Sequence, residues 1–400
     1  MVTRTFWGHS VSDDVCDLCQ RPALEPIYKP ERSTRGLTVH LCGVCGLLQS
    51  LPRIDRATRA PAAVSGGADW GNVRYGKGFR TQIAVDALNR YTDFGSDFTL
   101  LDVGSNRGSF ARSFLHRAPN AHLVAVEPDE RVAASVAGMP RTQLIQERIE
   151  NVALETRRFD AIHSCHTIEH LIHPAHTLAD HHRALRDGGI LVLDAPNTAL
   201  LASDDIVEEW FIDKHLYHFS ERTLTRMIEA AGFTILERPD PKDKSNLFFA
   251  CKKNGHKPVN GGLDLLEVEY AQDLIAAYSA NRARNLMALT SVASELLRLA
   301  PRRVAVWGAG RLFDSLVTYG KLPTGALTLL IDKHLKAHVT ERHGFALTGP
   351  ESLAEANPGV VVVMSRDFAS EIAAEVNRLT PGAEVILYSD LMSRARRIAA

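Results

Sequence analysis

Apolar residues in this chain fall into short runs of the kind that form buried strands, separated by stretches with helical periodicity. Residues 98–103 read as a buried strand, followed by the turn Gly104-Ser-Asn-Arg-Gly108 and a helix to about residue 116. Residues 122–126, 159–164 and 189–194 are three more strands, with helical pattern between them. Residues 224–231 read as a helix ended by Gly232, and 233–237 and 246–251 close the block as strands. Alternation of this kind predicts a parallel or mostly parallel sheet with helices on both faces. A long amphipathic helical stretch, 263–299, leads into a second block of the same type. That block has a strand at 304–307, a Gly308-Ala-Gly310 turn, a helix at 311–319 and strands at 327–332, 360–364 and 384–387.

Two stretches punctuate this pattern. Residues 53–71 are rich in Ala, Gly and Arg without periodicity, and Asn254-Gly-His-Lys-Pro258 with Gly261-Gly262 forms a second break. The predicted organisation is a small cysteine-bearing domain at 1–62, a catalytic-type α/β domain at 73–255, and a helical linker plus a Rossmann-like α/β domain at 260–400. At 400 residues the chain is too long for one ordinary core, which agrees.

Charge narrows the function classes. The formal net charge of -1 shows no basic excess, which argues against nucleic acid as a partner. The N-terminal MVTRTFWGHS lacks the apolar run of a secretory signal. No window reaches the roughly 18 uninterrupted apolar residues of a membrane span. The expectation is a cytoplasmic chain without a membrane partner, acting as monomer or homodimer.

Four of the six cysteines fall in two knuckles, Cys16-x-x-Cys19 and Cys42-x-x-Cys45. A two-residue spacer lets both thiolates of a knuckle meet one tetrahedral ion at about 2.3 Å. The gap, residues 20 to 41, has room for a short β-hairpin. Gly46 follows the second knuckle, where a positive φ is useful. Four ligands leave no open position, so the expected metal is structural Zn2+. The bland alternative is four buried thiols. Cys165 and Cys251 read as small core residues.

The stretch Leu100-Leu-Asp102-Val-Gly104-Ser105-Asn106-Arg-Gly108 carries the most chemistry. A strand ends in a carboxylate, turns on glycine and opens a helix, the plan of a nucleotide-binding crevice. Gly104 and Gly108 are expected to bring bare backbone against a ligand. Asp102 at the strand end suits a cationic amino-acid moiety better than a phosphate, which points to S-adenosylmethionine. The next strand ends in Glu127, placed to accept ribose hydroxyls. Nicotinamide dinucleotides need Gly-x-Gly-x-x-Gly, and neither loop supplies it: Phe313 holds the third glycine position after Gly308-x-Gly310.

Asp102 to Gly108 resembles motif I of class I methyltransferases, and Gly-Ser-Asn-x-Gly looks like the form found in the zinc-containing sugar C-methyltransferases. The resemblance covers most of the chain. Cys42-Gly-Val-Cys45-Gly-Leu-Leu-Gln49 is similar to that family's second knuckle, and Ser365-Arg-Asp-Phe368-Ala-Ser-Glu371-Ile372 to a segment of its C-terminal domain. The resemblance implies a seven-stranded class I methyltransferase sheet flanked by a zinc-binding domain and a Rossmann-like domain. It implies cofactor contacts at Asp102, Gly104 and Glu127, an adenine neighbourhood at Gln146 and Glu147, and a pocket wall at 166–170. It also implies an acceptor-side motif of the type Tyr-His-Glu-His-Leu. The stretch here is Ile212-Asp213-Lys214-His215-Leu216, which keeps only the last histidine and leucine. The segment also resembles His-x-x-His-Phe-Ser-x-x-x-Leu, common in class I enzymes with other acceptors.

Seventeen histidines are present, and His163, His166, His170 and His173 recur at spacings of three and four. One helix would set them on a single face, which raises a metal-site reading; the plainer reading is a pocket wall plus surface residues. His215 is the candidate general base, with His170 assisting. A buried histidine bonded to backbone is the alternative for His215. His166 is a candidate cofactor contact. Tyr75 and Trp70 precede the core helix and can close over the cofactor or simply pack. Gly308-Ala-Gly310 with Asp332 reads either as a nucleotide site or as a degenerate structural fold.

These features predict methyl transfer from S-adenosylmethionine to a small-molecule acceptor, with a nucleotide-linked sugar as the leading acceptor. The alternatives are a methyltransferase-fold binding or regulatory protein, and an O- or N-methyltransferase with a non-sugar acceptor.

Overall fold

The computed structural model describes residues 5–6, 9–10, 15–31, 33–53, 79–254, 262–299, 301–323, 325–337, 339–366 and 368–399. It divides into two compact units, Met1–Leu200 with Phe211–Ile275, and Leu201–Trp210 with Ala276–Ala400.

The first unit begins with a small antiparallel module: β1 (Leu24–Tyr28), β2 (Thr38–Cys42) and β3 (Leu48–Leu51). Its core layer follows as α1 (Phe79–Tyr91), β4 (Phe98–Val103), α2 (Ser109–Arg117), β5 (Ala121–Val126), α3 (Glu130–Ala137), β6 (Thr142–Ile145), β7 (Phe159–Cys165), α4 (Pro174–Ala184) and β8 (Leu185–Pro196). Next come β9 (Tyr217–His218), α5 (Glu221–Ala230), β10 (Phe233–Glu237) and β11 (Asn246–Lys253). Seven strands form one sheet in the order β10-β11-β8-β7-β4-β5-β6. Only β11 runs against its neighbours. This is the mostly parallel sheet that the alternating pattern predicts, with the seven strands that the resemblance to class I methyltransferases implies.

Both faces of the central strands are buried, which is why they read as near-continuous apolar runs. Side chains alternate across the sheet. Leu101, Val103, Val124, Val126, Ile162, Leu191 and Leu193 enter one core, while Leu100, Leu123, Ala125, Ala161, Ile190 and Val192 enter the other. The second core is closed by a phenylalanine cluster in which Phe94 and Phe114 meet edge to face at 5.4 Å. Residues 142–145, too short and polar to register as a strand in sequence, pair with β5 as the sheet edge.

The cysteine module does not close its own sheet. Its order is β9-β3-β2-β1, and β9 comes from the segment that follows β8. Tyr217 pairs with Gln49 and His218 with Leu48. The hairpin expected between the knuckles is present as β1 and β2.

α6 (Leu265–Arg298) gives its first turns to the first unit and the rest to the second. The second unit contains β12 (Val304–Trp307), α7 (Arg311–Thr318), β13 (Leu329–Ile331), β14 (Glu341–Arg342), β15 (Phe345–Thr348), α8 (Ser352–Ala356), β16 (Val360–Val363), α9 (Ala369–Leu379), β17 (Glu384–Leu387) and α10 (Tyr388–Ala399). Its sheet order is β14-β15-β13-β12-β16-β17, parallel except for the short β14. Among the described residues, no helix is long and apolar enough to cross a membrane.

Candidate active site

The loop between β4 and α2 is built by three left-handed residues, Gly104 (φ 75°), Asn106 (φ 48°) and Gly108 (φ 73°). At both glycines a β-carbon would strike the protein itself, a reason for glycine that the sequence did not supply. A β-carbon on Gly104 would stand 2.2 Å from Thr167 Oγ1, and one on Gly108 would stand 2.5 Å from Met139 Cε. The glycines are required by φ and by neighbouring side chains. Asn106 holds its own left-handed turn by accepting the Arg107 N–H on Oδ1 at 2.7 Å.

Glu127 closes the loop from β5. Its two carboxylate oxygens accept the backbone N–H groups of Asn106 at 2.8 Å and Asp129 at 3.0 Å. Burial pushes its carboxyl above the ordinary range, against the pull of those two donors. Asp102 is fully buried, and the register sets it beside His163 on β7. Asp102 Oδ1 lies 2.7 Å from His163 Nδ1, and the Phe110 ring stacks on His163 at 3.6 Å. Asp102 Oδ2 and the buried Ser105 Oγ have no hydrogen-bond partner among the described residues. Two unspent buried acceptors at a glycine turn are what a cationic amino-acid ligand with N–H donors would use.

The wall opposite comes from the turn after β7. His163, His166, His170 and His173 do not share a helix face: His163 is in β7, His170 in a 3₁₀ turn, and His173 precedes α4. Each does something different. His166, at φ 46°, contacts Arg80 through Nε2, has Nε2 3.0 Å from Asn246 Oδ1 and donates its backbone N–H to Asp194 Oδ1 at 3.0 Å. His170 Nδ1 donates to the Lys214 carbonyl at 2.8 Å. His173 Nδ1 lies 3.6 Å from Asp17 Oδ1 in the cysteine module.

His170 and His215 are brought together, with ring centroids 4.9 Å apart. Beneath them is Glu169, 1% exposed. Burial alone would raise its carboxyl, but the charges of His170 and His166 hold it down at about 2. His218 is different. It is buried against Ser50 Oγ at 2.9 Å and Phe211 at 4.6 Å, and burial pushes its ring down to about 3, so it is a neutral packing group.

Glu147 is exposed and accepts the Arg148 N–H at 2.7 Å and Asn151 Nδ2 at 3.0 Å, capping the turn after β6. Tyr75 and Trp70 lie outside the described residues.

The segment bearing His215 is fastened to the cysteine module. Asp213 accepts Ser33 Oγ at 2.6 Å, Thr34 N at 2.9 Å and Thr34 Oγ1 at 2.6 Å. Tyr28 and Phe211 rings pack at 5.0 Å. Asp213, one of the departures from the acceptor-side motif, is therefore spent on this clamp. The four thiols of the module converge: Cys16 and Cys45 sulfurs are 3.5 Å apart, as are those of Cys19 and Cys42, and all four lie within 4.8 Å of one another. Disulfides would need about 2.05 Å. Ligands of a tetrahedral zinc at about 2.3 Å stand about 3.8 Å apart, so the donor set fits that ion. Gly46 takes φ 76°, as the sequence predicts, and its Cα faces Glu267.

In the second unit, Gly308 sits at φ 116°, with Met364 O at 2.5 Å from where a β-carbon would be. Asp332 accepts Ala309 N at 3.2 Å on one oxygen and His334 N and Leu335 N at 3.0 and 2.9 Å on the other. Its carboxylate is engaged in shaping the loop.

Sequence reasoning had Glu169 inside the 166–170 wall without giving it a role, and missed Asp194, Asn246 and Arg80 as parts of it. Glu169 had one signal, a carboxylate next to His170 in the turn after a strand. Asn246 and Arg80 had none, because only the sheet order brings β11 and α1 to that turn.

Residues 76–238, under half of the chain, match the family model described as a methyltransferase domain. No curated protein sequence matches the chain. Solved structures similar to it include an S-adenosylmethionine dependent methyltransferase from Mesorhizobium loti, at 16% identity and TM-score 0.36, covering 47% of this chain and 99% of that one. Another is the 1,6-didemethyltoxoflavin-N1-methyltransferase of Burkholderia thailandensis, at 20% identity and TM-score 0.36, covering 56% of this chain and 99% of that one. A third, an S-adenosylmethionine-dependent methyltransferase from Clostridium acetobutylicum, has 14% identity and TM-score 0.37, covering 46% of this chain and 97% of that one.

Proposed function

From the premise that residues 76–238 form a class I methyltransferase domain, we propose that the chain methylates a small-molecule acceptor using S-adenosylmethionine. The observation that carries this reading is the pair of unspent buried acceptors, Asp102 Oδ2 and Ser105 Oγ, at the glycine turn. Asp102 would take the ligand's ammonium. Each Glu127 oxygen already accepts one N–H and has a second lone pair for a ribose hydroxyl. Backbone at Gly104, Asn106 and Gly108 would follow the ligand, with His166 on the opposite wall and Glu147 and Tyr75 in outer positions. Bound there, the sulfonium supplies an electrophilic methyl group.

The chain's own task is to orient the acceptor and remove its proton. His215 is the candidate general base, with His170 beside it. The four-cysteine module would hold structural Zn2+ and, through Asp213 and β9, keep the His215 segment in place. A nucleotide-linked sugar is the acceptor class we favour. Its support is the resemblance of the second knuckle, the glycine loop and the 365–372 segment to the sugar C-methyltransferases. The methylated atom, carbon, oxygen or nitrogen, follows from the acceptor.

Calorimetry on zinc-replete protein should detect S-adenosylmethionine and its demethylated product, and a labelled-methyl assay with candidate acceptors should show transfer. His215→Ala should keep cofactor affinity and lower turnover by about 10²-fold or more. Absence of heat with either ligand sinks the reading. Cofactor binding without transfer to any acceptor favours a binding protein.

A further inference from the structure

Neither oxygen of the buried Glu169 carboxylate accepts a hydrogen bond among the described residues. An anion in that state is costly unless positive charge lies against it. His166 Nδ1 is 3.4 Å from Glu169 Oε1 and His170 Nε2 is 3.7 Å from it. The Lys214 carbonyl decides what His170 presents. A carbonyl only accepts, so Nδ1, 2.8 Å away, is the N–H that donates to it. Nε2 then faces the carboxylate either as a bare lone pair or as the second N–H of a charged ring. Only the charged ring is attracted.

We propose that Glu169 is a positioning residue that fixes a proton on His170, and that this imidazolium keeps its neighbour His215 neutral. One ring of the pair is then charged and the other neutral, the protonation state a base requires. The low carboxyl of Glu169 agrees with a charged partner. Other described groups bearing on the cluster are His166 on the same turn, Asp194 on β8 at 3.9 Å from His166, Cys165 at the end of β7, His218 on β9, Arg80 from α1, and Asp213 and Lys214 beside His215 in sequence.

The proposal rests on the methyl-transfer reading and narrows its acceptor. A charged ring beside a neutral base suits an acceptor in which negative charge develops on an oxygen as the proton leaves, such as a hydroxyl beside a carbonyl or an enolisable ketone. The acceptor's C–H or O–H bond breaks and its proton passes to His215. The electron pair left behind forms the bond to the methyl carbon as the sulfur–carbon bond breaks. His215 then returns the proton to water.

The test is histidine-ring NMR on the full, zinc-loaded chain labelled with 15N-histidine, with assignments from His170→Gln and His215→Gln. At pH 7 the His170 ring should be charged and the His215 ring neutral. In Glu169→Gln, His170 should titrate near the ordinary value of about 6.5. With the acceptor found by the labelled-methyl assay, kcat should drop about tenfold or more, KM for S-adenosylmethionine should hold, and the acid limb of the pH profile should move. Glu169→Asp should recover part of kcat. Two neutral rings or two charged rings in the wild type overturn the proposal, even if Glu169→Gln fails to fold. So does an unchanged His170 titration in Glu169→Gln. A second metal ion per chain that is lost with Glu169→Gln overturns it as well. Failure to find any methyl transfer sinks the earlier reading and leaves the ring measurement interpretable.

Discussion

His218 and His181 are neutral in the fold because burial lowers them to about 3 and about 4. In the unfolded chain both take a proton near pH 6.5. The unfolded state therefore binds more protons between those limits, so stability drops as pH falls below about 6.5, and each ring accounts for on the order of 3 kcal/mol by pH 4. Glu169, held at about 2, adds loss in the same direction below the ordinary glutamate range. Thermal denaturation should show a steep decline in midpoint between pH 7 and 4, and His218→Gln, which can still meet Ser50, should flatten it. A wild-type midpoint independent of pH over that range contradicts the assignment. The placement of Asp102 and Glu127 at the ends of their strands was legible in sequence, because a carboxylate closing an apolar run is a local pattern. Glu169 fell inside the 166–170 wall, but the role proposed for it depends on Lys214 and His215, which only the tertiary fold brings to it. The glycines were legible by position, but this reason for them was not: Thr167 and Met139 stand where a β-carbon would strike them.

Element boundaries in the core were readable because buried parallel strands concentrate apolar residues. β4, β10, β12 and β17 begin and end where the pattern places them. β9 was not readable. Two residues are too few for a period, and Tyr217–His218 becomes a strand only because β3 offers an unpaired edge. That pairing ties the four-cysteine module to the segment bearing His215. Stripping zinc with a strong chelator should therefore lower turnover far more than it lowers cofactor affinity, and re-adding zinc should restore both module and activity. Calorimetry and a methyl-transfer assay on the same sample measure this. Equal loss of both would place the coupling elsewhere. Cys42→Ser should mimic the chelator.

Two compact units mean two sources of stability. The second unit has an ion cluster in which Arg366 meets Glu208 Oε1 at 2.8 Å and also engages Asp205. Burial would lower the guanidinium, but the two carboxylates outweigh it and hold Arg366 above its ordinary range. Arg366→Leu leaves Glu208 and Asp205 without their counter-charge, which for an ion cluster at the surface should cost about 1 kcal/mol. Scanning calorimetry should show the loss in the transition of the second unit, with the cofactor affinity of the first unchanged. A loss of cofactor binding would show that the units are not energetically independent. The alternation of strands and helices announced both α/β layers. It could not announce that Leu201–Trp210 leaves the first unit for the second, because nothing in ten residues signals which core will bury them.

The borrowed strand has a consequence for synthesis. Ser50 and His218, bonded across β3 and β9, are 168 residues apart in the chain. The cysteines emerge from the ribosome long before the residues that complete their sheet, and contacts of such separation form late. For that interval the nascent module carries an open β-edge and four thiols, and early capture of zinc would protect the thiols from oxidation and the edge from pairing with another chain.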